Sequence, residues 1–286
     1  MPYVNSGDIK EVILVDSHST DKTAEIIRSF PVTLLYEEGG EAYAKSIVRH
    51  LYSTYHALDQ GWQKATGDLI MFLDSDAFLG GKFFPYITKL FEDDDKLGII
   101  GGWAKPGASN KMAIAMGQLW QFHGRRLSAL QQGSQNRFEK FYQYVVWFGN
   151  KRILTSGPCY IVRRKCLELV NGHDIRADVG LCLKINEAGW KSCWWVEAPI
   201  YHMPPENISV LWNQRYSWGL NGAFMPRGGW RHTLSLPLRI GGSFVMGGFL
   251  ATRFRNGRLF LILPISEFGH LSGYIGGTIA RARGKT

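Results

Sequence analysis

The stretch Gly67-Asp-Leu-Ile-Met-Phe-Leu-Asp74-Ser-Asp76 decides the fold class of this chain. The five residues Leu69–Leu73 are all apolar, which is typical of a β-strand covered on both faces in an α/β protein. Asp74 and Asp76 follow directly, at the end of the strand where open α/β sheets bind ligands. In extended backbone this i, i+2 spacing places both carboxylates on one side, where they can share a divalent cation and a phosphate-bearing ligand. An ordinary polar turn is the alternative, and the rest of the sequence decides between the two.

The composition is typical of a folded protein with one large domain, with or without an appendage. The chain has 286 residues, of which 45% are hydrophobic and 20% are charged. A chain of this length buries a large core, and its apolar content excludes a disordered polymer. The cysteines form no Cys-x-x-Cys pair, and no secretion signal is recognisable at the amino terminus; they are Cys159, Cys166, Cys182 and Cys193. We therefore expect reduced, mostly buried thiols in a cytoplasmic protein, and a metal held by oxygen ligands rather than zinc.

The net charge of +9 is concentrated at the end of the chain, where nine Lys or Arg and one acid, Glu267, follow residue 226. There the segments Leu234–Ala251 and Leu259–Ala280 are apolar, rich in glycine and flanked by arginines. The second is long enough to span a bilayer, but Pro264, Glu267, His270 and its glycines argue against a span. Arginine-flanked apolar segments favour helices in the headgroup layer of an anionic membrane. A span and ordinary core packing stay open as alternatives.

Strand and helix patterns alternate in the first half of the chain. Each short apolar run is followed by a polar loop and then by apolar residues at helical spacing. The predicted strands are Glu11–Val15, Val32–Tyr36, Leu69–Leu73 and Leu97–Gly102, and the predicted helices are Thr23–Phe30, Glu41–Ala65 and Phe83–Phe91. Helices between such runs imply crossover connections, so we predict an α/β fold with a mostly parallel central sheet flanked by helices.

The second half carries fewer regular patterns. The stretch from Lys105 to Lys151 has no assignable periodicity beyond one or two helices. After it, we predict strands within Ile153–Arg163 and at Cys193–Val196, and helices at Lys165–Val170 and Asp178–Ala188.

Four segments, in the same order along the chain, resemble the inverting glycosyltransferases of family 2. They are Val12-Ile-Leu-Val-Asp16-Ser-His-Ser-Thr-Asp21, Ala65-Thr-Gly-Asp-Leu-Ile-Met-Phe-Leu-Asp74-Ser-Asp76, Ser156-Gly-Pro-Cys-Tyr-Ile-Val through Asn171-Gly-His-Asp174, and Asp178 to Glu187-Ala-Gly-Trp-Lys191. Two later pieces, Ala198-Pro-Ile-Tyr-His202 and Gln214-Arg-Tyr-Ser-Trp218, resemble the family's Tyr-His strand and Gln-x-x-Arg-Trp block. The resemblance covers about residues 10–225. It implies the glycosyltransferase type-A fold, an α/β sandwich that binds a nucleotide-sugar.

The resemblance also implies an organisation and an activity. Residues 1–100 would form the nucleotide-sugar-binding half and 101–225 the acceptor-binding and catalytic half of one domain, with 226–286 as a basic, apolar tail at the membrane interface. The expected reaction is a metal-dependent, inverting transfer of a sugar from a nucleoside-diphosphate sugar to a lipid-linked or saccharide acceptor. The expected location is cytoplasmic, peripheral or monotopic on an anionic membrane.

The family's metal and catalytic positions match residues of this chain. Asp76 and His202 would hold a Mn²⁺ or Mg²⁺ that neutralises the leaving diphosphate. Asp178 would be the general base that takes the proton of the acceptor hydroxyl, and Asp74 would reach the ribose or a water bound to the cation. From the residue alone, His202 is also explained as a packed surface histidine.

Four further residues are assigned through the same resemblance. Asp16 and Tyr3 would contact the nucleotide, and Arg215 and Trp218 the diphosphate or the acceptor. The residues themselves leave other interpretations open. Asp16 is also explained as a helix cap, Arg215 as an exposed structural arginine, and Trp218 as a core aromatic.

Three positions depart from the family's pattern. Ser17 replaces the second Asp of the first loop, Ala177 the Glu before the base, and Ser217 the Arg before Trp218. In addition, only Met1–Asp8 precedes the first predicted strand, where the family has another strand. A degenerate member that binds nucleotide or glycan without catalysis is therefore the alternative function. We expect no nucleic-acid partner, because the basic tail carries no recognition motif.

Overall fold

The structure is a computed structural model, and it describes residues 9–38, 49–80, 83–107, 110–131, 157–173, 177–223 and 230–283. The chain divides into two compact units. Unit 1 comprises Met1–Asp74, Lys82–Gly102 and Leu154–Cys193, and unit 2 comprises Ser75–Gly81, Trp103–Ile153 and Trp194–Thr286.

Strands and helices alternate through the first part of the chain, and helices dominate the last part. The strands are β1 (Ile13–Asp16), β2 (Thr33–Tyr36), β3 (Leu69–Leu73), β4 (Ala77–Leu79), β5 (Leu97–Pro106), β6 (Cys159–Arg163) and β7 (Lys191–His202). The helices are α1 (Thr23–Arg28), α2 (Arg49–Lys64), α3 (Phe83–Asp93), α4 (Lys111–Gln131), α5 (Arg164–Val170), α6 (Ala177–Glu187), α7 (Ile208–Gly222), α8 (Trp230–Phe254) and α9 (Arg258–Ala282).

Most predicted elements are confirmed within a few residues. Strand β3 has the predicted bounds, and α6 begins one residue before its predicted start. Helix α4 occupies part of the stretch that the sequence left unassigned. Of the long helix predicted for Glu41–Ala65, residues 49–64 are helical, and residues 41–48 lie outside the described part of the chain. The four cysteines are free, and three of them are buried.

The prediction of a mostly parallel central sheet is wrong for the strand pairings that the structure describes. Five strands are hydrogen-bonded in the order β3-β6-β5-β7-β4, and β3 with β6, β5 with β6 and β4 with β7 pair antiparallel. Strands β1 and β2 pair in parallel in a separate two-stranded sheet. An apolar run shows that a strand is buried but not which way it runs, so the sequence pattern could not reveal that β6 lies beside β3.

The core of unit 1 lies between β5 and helices α3, α5 and α6. Its fully buried side chains include Phe83, Ile87, Ile99, Ile100, Leu167, Leu181 and Ile185. Burial of each such side chain stabilises the fold by about 1.5–3 kcal/mol. Gly98 of β5 lies so close to this layer that a Cβ there would be 2.9 Å from side-chain atoms of Ile185 and Trp190. Glycine is therefore what lets the strand approach the helix.

Helix α5 ends in a left-handed turn at the Asn-Gly pair where the sequence predicted its end. Asn171 has φ 54° and Gly172 has φ 66°. The Gly172 N–H donates to the carbonyl oxygen of Leu167, as in a common helix C-terminal motif. A Cβ at Gly172 would also lie 2.6 Å from Asp59 Oδ1. Both conformation and space therefore require glycine at this position.

Four helices of unit 2, α4, α7, α8 and α9, share one hydrophobic core. Its buried side chains include Met116, Leu119, Leu211, Leu250, Leu259 and Ile262. The two apolar segments of the basic tail thus bury part of their surface against α4 and α7. This is what the core-packing interpretation of the tail expects.

Helices α7 and α9 are in backbone contact along a row of glycines, which we call the glycine seam. Gly269, Gly273 and Gly277 recur at every fourth residue of α9 and therefore lie on one face. A Cβ on Gly273 would lie 1.9 Å from the carbonyl oxygen of Tyr216, and one on Gly219 of α7 would lie 1.9 Å from a carbonyl oxygen of α9. Small residues at every fourth position allow such close approach of two helices.

Among the described residues, α9 is the one helix long and apolar enough to cross a membrane by length and composition. Its most apolar 18-residue window has a mean hydropathy of 1.2, and 39% of that window is buried within the protein. Core helices of soluble proteins have the same properties, so this feature alone is weak evidence for a span.

Candidate active site

The Asp-x-Asp pair lies between strands β3 and β4. The N–H of Asp74, just after β3, donates to the carbonyl oxygen of Pro158 at 2.8 Å. Strand β4 begins directly after Asp76 and pairs with the end of β7, where Ala77 lies opposite His202. This register brings His202 Nε2 to 3.1 Å from Asp76 Oδ1. The contact joins residues that are far apart in the sequence and that the resemblance assigned to one metal.

Asp74, Asp76 and His202 offer three metal-ligating atoms. One carboxylate oxygen of each aspartate and one ring nitrogen of His202 lie within 4.8 Å of one another, and both aspartates are exposed. The imidazole packs against the ring of Trp120, with centroids 5.6 Å apart, which limits its rotation. Two carboxylates suit Mg²⁺ or Mn²⁺, and Mn²⁺ also accepts an imidazole. The residues therefore fit a divalent cation of this type.

Asp178 lies in the first turn of α6 and is half-buried. Its Oδ2 accepts a hydrogen bond of 2.9 Å from the N–H of Gly157. Gly157 has φ 135°, and a Cβ there would lie 2.7 Å from the carbonyl oxygen of Gly102, so this position requires glycine. The next residue, Pro158, accepts the hydrogen bond from Asp74. The turn Gly157-Pro158 thus connects Asp74 and Asp178.

The negative charges of Asp74 and Asp178 affect the pKa values of buried side chains on β6, namely Cys159 and Tyr160. Burial raises the pKa of the Cys159 thiol, and the charge of Asp74 raises it further. Burial also raises the pKa of the Tyr160 hydroxyl well above its usual value, and the charges of Asp178 and Asp74 add to this effect. Both acids therefore act on the same buried phenol.

Asp16 ends β1 and is buried, with 6% of its surface exposed. Its carboxylate accepts hydrogen bonds from the N–H and the hydroxyl of Ser19. Helix α1 starts later, and its first residue, Thr23, donates its N–H to Asp21 Oδ1 at 2.9 Å. Asp16 thus closes the loop between β1 and α1 rather than capping the helix.

Arg215 and Trp218 lie one turn apart on α7, with the guanidinium carbon 4.4 Å from the centroid of the Trp218 ring. Burial lowers the pKa of Arg215 to about 10; the charge of Glu267 offsets part of this effect, and that of Arg239 adds to it. Arg239 and Glu267 form an ion pair of 2.7 Å. The Nε of Arg215 is buried, whereas Trp218 is 49% exposed. Arg215 is therefore not an exposed structural arginine, and Trp218 is not a core aromatic.

The family model of glycosyl transferase family 2 matches residues 4–168, which is more than half of the chain. The chain belongs to this family. The poly-beta-1,6-N-acetyl-D-glucosamine synthases of Staphylococcus aureus (strain COL) and Staphylococcus epidermidis are 25% and 24% identical to it over 222 residues. These alignments cover 74% of this chain and 47% of each relative, so the chain spans about half the length of the curated relatives it matches.

A solved structure with a similar fold is the mannosyltransferase PcManGT from Pyrobaculum calidifontis, in complex with GDP-Man and Mn²⁺. The two chains superpose with a TM-score of 0.57 at 15% sequence identity, over 96% of this chain and 81% of the mannosyltransferase. The predicted glycosyltransferase type-A α/β fold is confirmed, with the antiparallel pairings as the correction.

Sequence reasoning missed a hydrogen-bonded group of polar residues in unit 1. Tyr160 and His173 belong to segments that carry the family resemblance and contact each other, but Asp59, the other partner of His173, lies on α2, 114 residues from His173 in the sequence. No local pattern connects residues so far apart. Tyr3, predicted to contact the nucleotide, lies outside the described residues.

Proposed function

We propose that this chain transfers a sugar, with inversion, from a nucleoside-diphosphate sugar to a lipid-linked or saccharide acceptor at a membrane surface. The single observation that carries the metal dependence is the group of ligand atoms from Asp74, Asp76 and His202. Family membership supports the donor class. The names of the curated relatives describe a polysaccharide synthase, and the mannosyltransferase of similar fold was solved with a nucleotide-sugar and Mn²⁺.

Asp76 and His202 would hold the cation, and Asp74 would contact the ribose or a water on the cation. When bound, Mn²⁺ or Mg²⁺ supplies positive charge that stabilises the departing diphosphate. Asp16 would contact the nucleotide from the loop that it closes with Ser19, together with Tyr3. These roles rest on the match to the family's motifs and on the contacts of the side chains.

Asp178 would act as the general base. The Gly157 N–H fixes its Oδ2, so the carboxylate is oriented before the acceptor binds. Removal of the acceptor proton on the face opposite the leaving group gives inversion in a single displacement. Arg215 and Trp218 would contact the diphosphate or the acceptor, supported by the partly buried cation and its exposed aromatic neighbour.

The tail supports membrane association through its surface as well as its charge. Exposed apolar side chains on α8 and α9 include Phe244, Val245, Phe249, Phe260, Leu261, Phe268, Ile275 and Ile279. Arg253, Arg255 and Arg258 are exposed at the turn between the two helices. Apolar side chains beside arginines suit the headgroup layer of an anionic bilayer. A peripheral or monotopic protein with no nucleic-acid partner is therefore proposed.

The catalytic proposal is tested with the full chain, Mn²⁺ and a panel of labelled nucleotide-sugars, with saccharides and membrane lipids as acceptors. We expect turnover of one donor. Asp178→Asn should lower kcat about 10²- to 10⁴-fold while donor affinity stays within twofold of wild type. Asp76→Asn should instead weaken Mn²⁺ binding. Asp94→Asn, which breaks an exposed pair with Lys191, is the matched control.

Two outcomes count against this proposal. A chain that neither binds nor turns over any donor contradicts it entirely. A wild-type chain that binds a donor and never transfers the sugar supports the alternative of a degenerate member that binds nucleotide without catalysis.

The membrane proposal is tested separately by sedimentation with vesicles. Deletion of the tail would expose the core of α4 and α7, so a surface variant is the sharper test. Replacement of Arg253, Arg255 and Arg258 by Gln should reduce binding to phosphatidylglycerol vesicles at least tenfold, without change in thermal stability. Equal binding of wild type and variant contradicts an electrostatic contribution of this turn.

A further inference from the structure

Three polar side chains form a hydrogen-bonded chain in unit 1. The Nδ1 of His173 lies 2.7 Å from Asp59 Oδ1, and its Nε2 lies 2.8 Å from the hydroxyl of Tyr160. Asp59 Oδ1 also accepts the backbone N–H of His173 and the indole N–H of Trp62. The rings of Tyr160 and His173 pack against Phe72 of β3. No member of this chain is assigned a role in the reaction proposed above.

The partners fix the direction of each hydrogen bond. Burial alone raises the pKa of Asp59, but the hydrogen bonds from His173 outweigh this and leave it lowered, so Asp59 is a carboxylate that accepts the Nδ1–H. In the tautomer with its proton on Nδ1, Nε2 accepts the hydroxyl proton of Tyr160. The raised pKa of Tyr160 keeps that proton in place. The chain therefore runs in one direction, from phenol to imidazole to carboxylate.

These contacts join the elements on both sides of Asp178. Tyr160 lies on β6, three residues after Gly157, whose N–H holds Asp178. His173 follows the left-handed turn that ends α5 and lies five residues before Asp178. The carbonyl oxygen of Gly172 in this turn accepts a hydrogen bond of 2.6 Å from Lys184, on the same helix as Asp178.

We propose that Asp59, His173 and Tyr160 are positioning residues for Asp178: together they lock β6 and the turn before α6, and so hold the carboxylate against the Gly157 N–H. This inference rests on the proposed function for its effect on rate. Its structural part, the position of Asp178 relative to Gly157, is independent of that function. Hydrogen-bonded polar networks in a protein interior fix one arrangement of the elements that they join.

Tyr160→Phe is the sharpest test, because it removes one hydroxyl and keeps the shape of the ring. We expect kcat to fall about 10- to 100-fold, with KM for the donor and the Mn²⁺ activation constant within twofold of wild type. Asp59→Asn should give the same split, since it removes the charge and keeps the side-chain size. Asp94→Asn, an exposed carboxylate of the same unit, should match wild type.

A double variant separates positioning from general destabilisation. If Tyr160 acts through Asp178, Tyr160→Phe should not lower the residual kcat of Asp178→Asn any further. An equal loss of kcat in both backgrounds overturns the inference, because it means that the hydroxyl serves the fold and not the base. A kcat of Tyr160→Phe equal to that of wild type also overturns the inference. Should Asp59→Asn fail to fold, Tyr160→Phe still decides.

Hydrogen exchange gives a readout that needs no activity. In Tyr160→Phe the Gly157 N–H should exchange at least tenfold faster than in wild type by NMR, while the amides of β5 stay unchanged. If the chain transfers no sugar from any donor and Gly157 still responds, the proposed function fails and the positioning inference stands. Unchanged exchange at Gly157 overturns the inference, whatever the activity.

Discussion

In unit 1 the segments around Gly157 and Asp178 are held by directional hydrogen bonds, whereas in unit 2 helices α7 and α9 are held by contact between their backbones. Both ring nitrogens of His173 lie at hydrogen-bonding distance from a partner, Asp59 on one side and Tyr160 on the other. In the seam region, by contrast, Arg215 Nε is buried without a hydrogen-bond partner among the described residues. Directional hydrogen bonds fix the positions of individual atoms, as catalysis requires. Close packing fixes only the distance between two helices.

The two regions also differ in whether the fold favours or disfavours the charged form of a titratable side chain. The fold lowers the pKa of Asp59, mainly through hydrogen bonds from His173 that exceed the effect of burial, and so it stabilises the charged form. The pKa of Arg215 is lowered to about 10 by burial, so there the fold disfavours the charged form. The first charge contributes to stability at neutral pH, and the second opposes it.

The largest effect is expected from a side chain placed in the glycine seam. A Cβ on Gly273 would meet the backbone of Tyr216, which cannot move away as a flexible side chain can. Gly273→Val should therefore lower the free energy of unfolding by about 3 kcal/mol or more, at the upper end for overpacking. Denaturant unfolding followed by tryptophan fluorescence measures this loss.

Gly241→Ala is the matched control in the neighbouring helix α8, because a Cβ there meets nothing within 4 Å. Alanine in a helix interior should stabilise by about 0.5–1 kcal/mol relative to glycine. If both variants change stability by the same amount, the seam is not a close contact.

The charges beside the seam should give the next largest effect. Glu267→Gln removes the acidic partner of Arg239 and the negative charge that favours the charged form of Arg215. It should cost about 2–3 kcal/mol, somewhat less than for a fully buried pair because each partner of the Arg239–Glu267 pair is about one fifth exposed. Arg215→Met leaves that pair intact and should stay within about 1 kcal/mol of wild type. Thermal unfolding of the two variants tests the order. Greater loss in Arg215→Met than in Glu267→Gln contradicts the interpretation that the charge of Arg215 opposes folding.

Substitution of Gly157, in the turn that holds Asp178, should have a smaller effect on stability and a clear effect on kcat. Gly157→Ala forces an L-residue to φ 135° and brings its Cβ to 2.7 Å from the carbonyl oxygen of Gly102. We expect a loss of about 1–2 kcal/mol in stability. Because this N–H orients Asp178, kcat should also fall about tenfold, as measured in the donor assay. Loss of stability with unchanged kcat would show that the Gly157–Asp178 contact is structural only.

Local patterns in the sequence predict where elements begin and end, whereas they do not predict contacts between distant residues. The bounds of β3, the end of α5 at Asn171-Gly172 and the start of α6 before Asp178 follow from local patterns, and the structure confirms them. The contact between Asp76 and His202 was expected only through the family resemblance. It depends on the antiparallel pairing of β4 with β7, which an apolar pattern does not encode.

Long-range contacts account for the features that sequence analysis missed or undervalued. The link from Asp59 to His173 spans 114 residues and leaves no local signal. The seam did leave one, since Gly269, Gly273 and Gly277 recur at every fourth position. By composition these glycines argue against a membrane span, whereas in the fold they form the face of α9 that contacts α7.

The smallest effect, on the pH dependence of stability, tests the difference in charge between the two regions. Asp59 has a lower pKa in the folded chain than its usual value of 3.8. The contribution of Asp59 to stability is therefore complete above about pH 4. It is lost as the pH falls through the lower pKa that Asp59 has in the folded chain. In thermal unfolding at pH 3 and pH 6, the stability gap between wild type and Asp59→Asn should narrow at pH 3, since the wild-type carboxylate loses its advantage there. A gap of equal size at both pH values would show that the charge of Asp59 contributes nothing, and that the pair with His173 acts by shape alone.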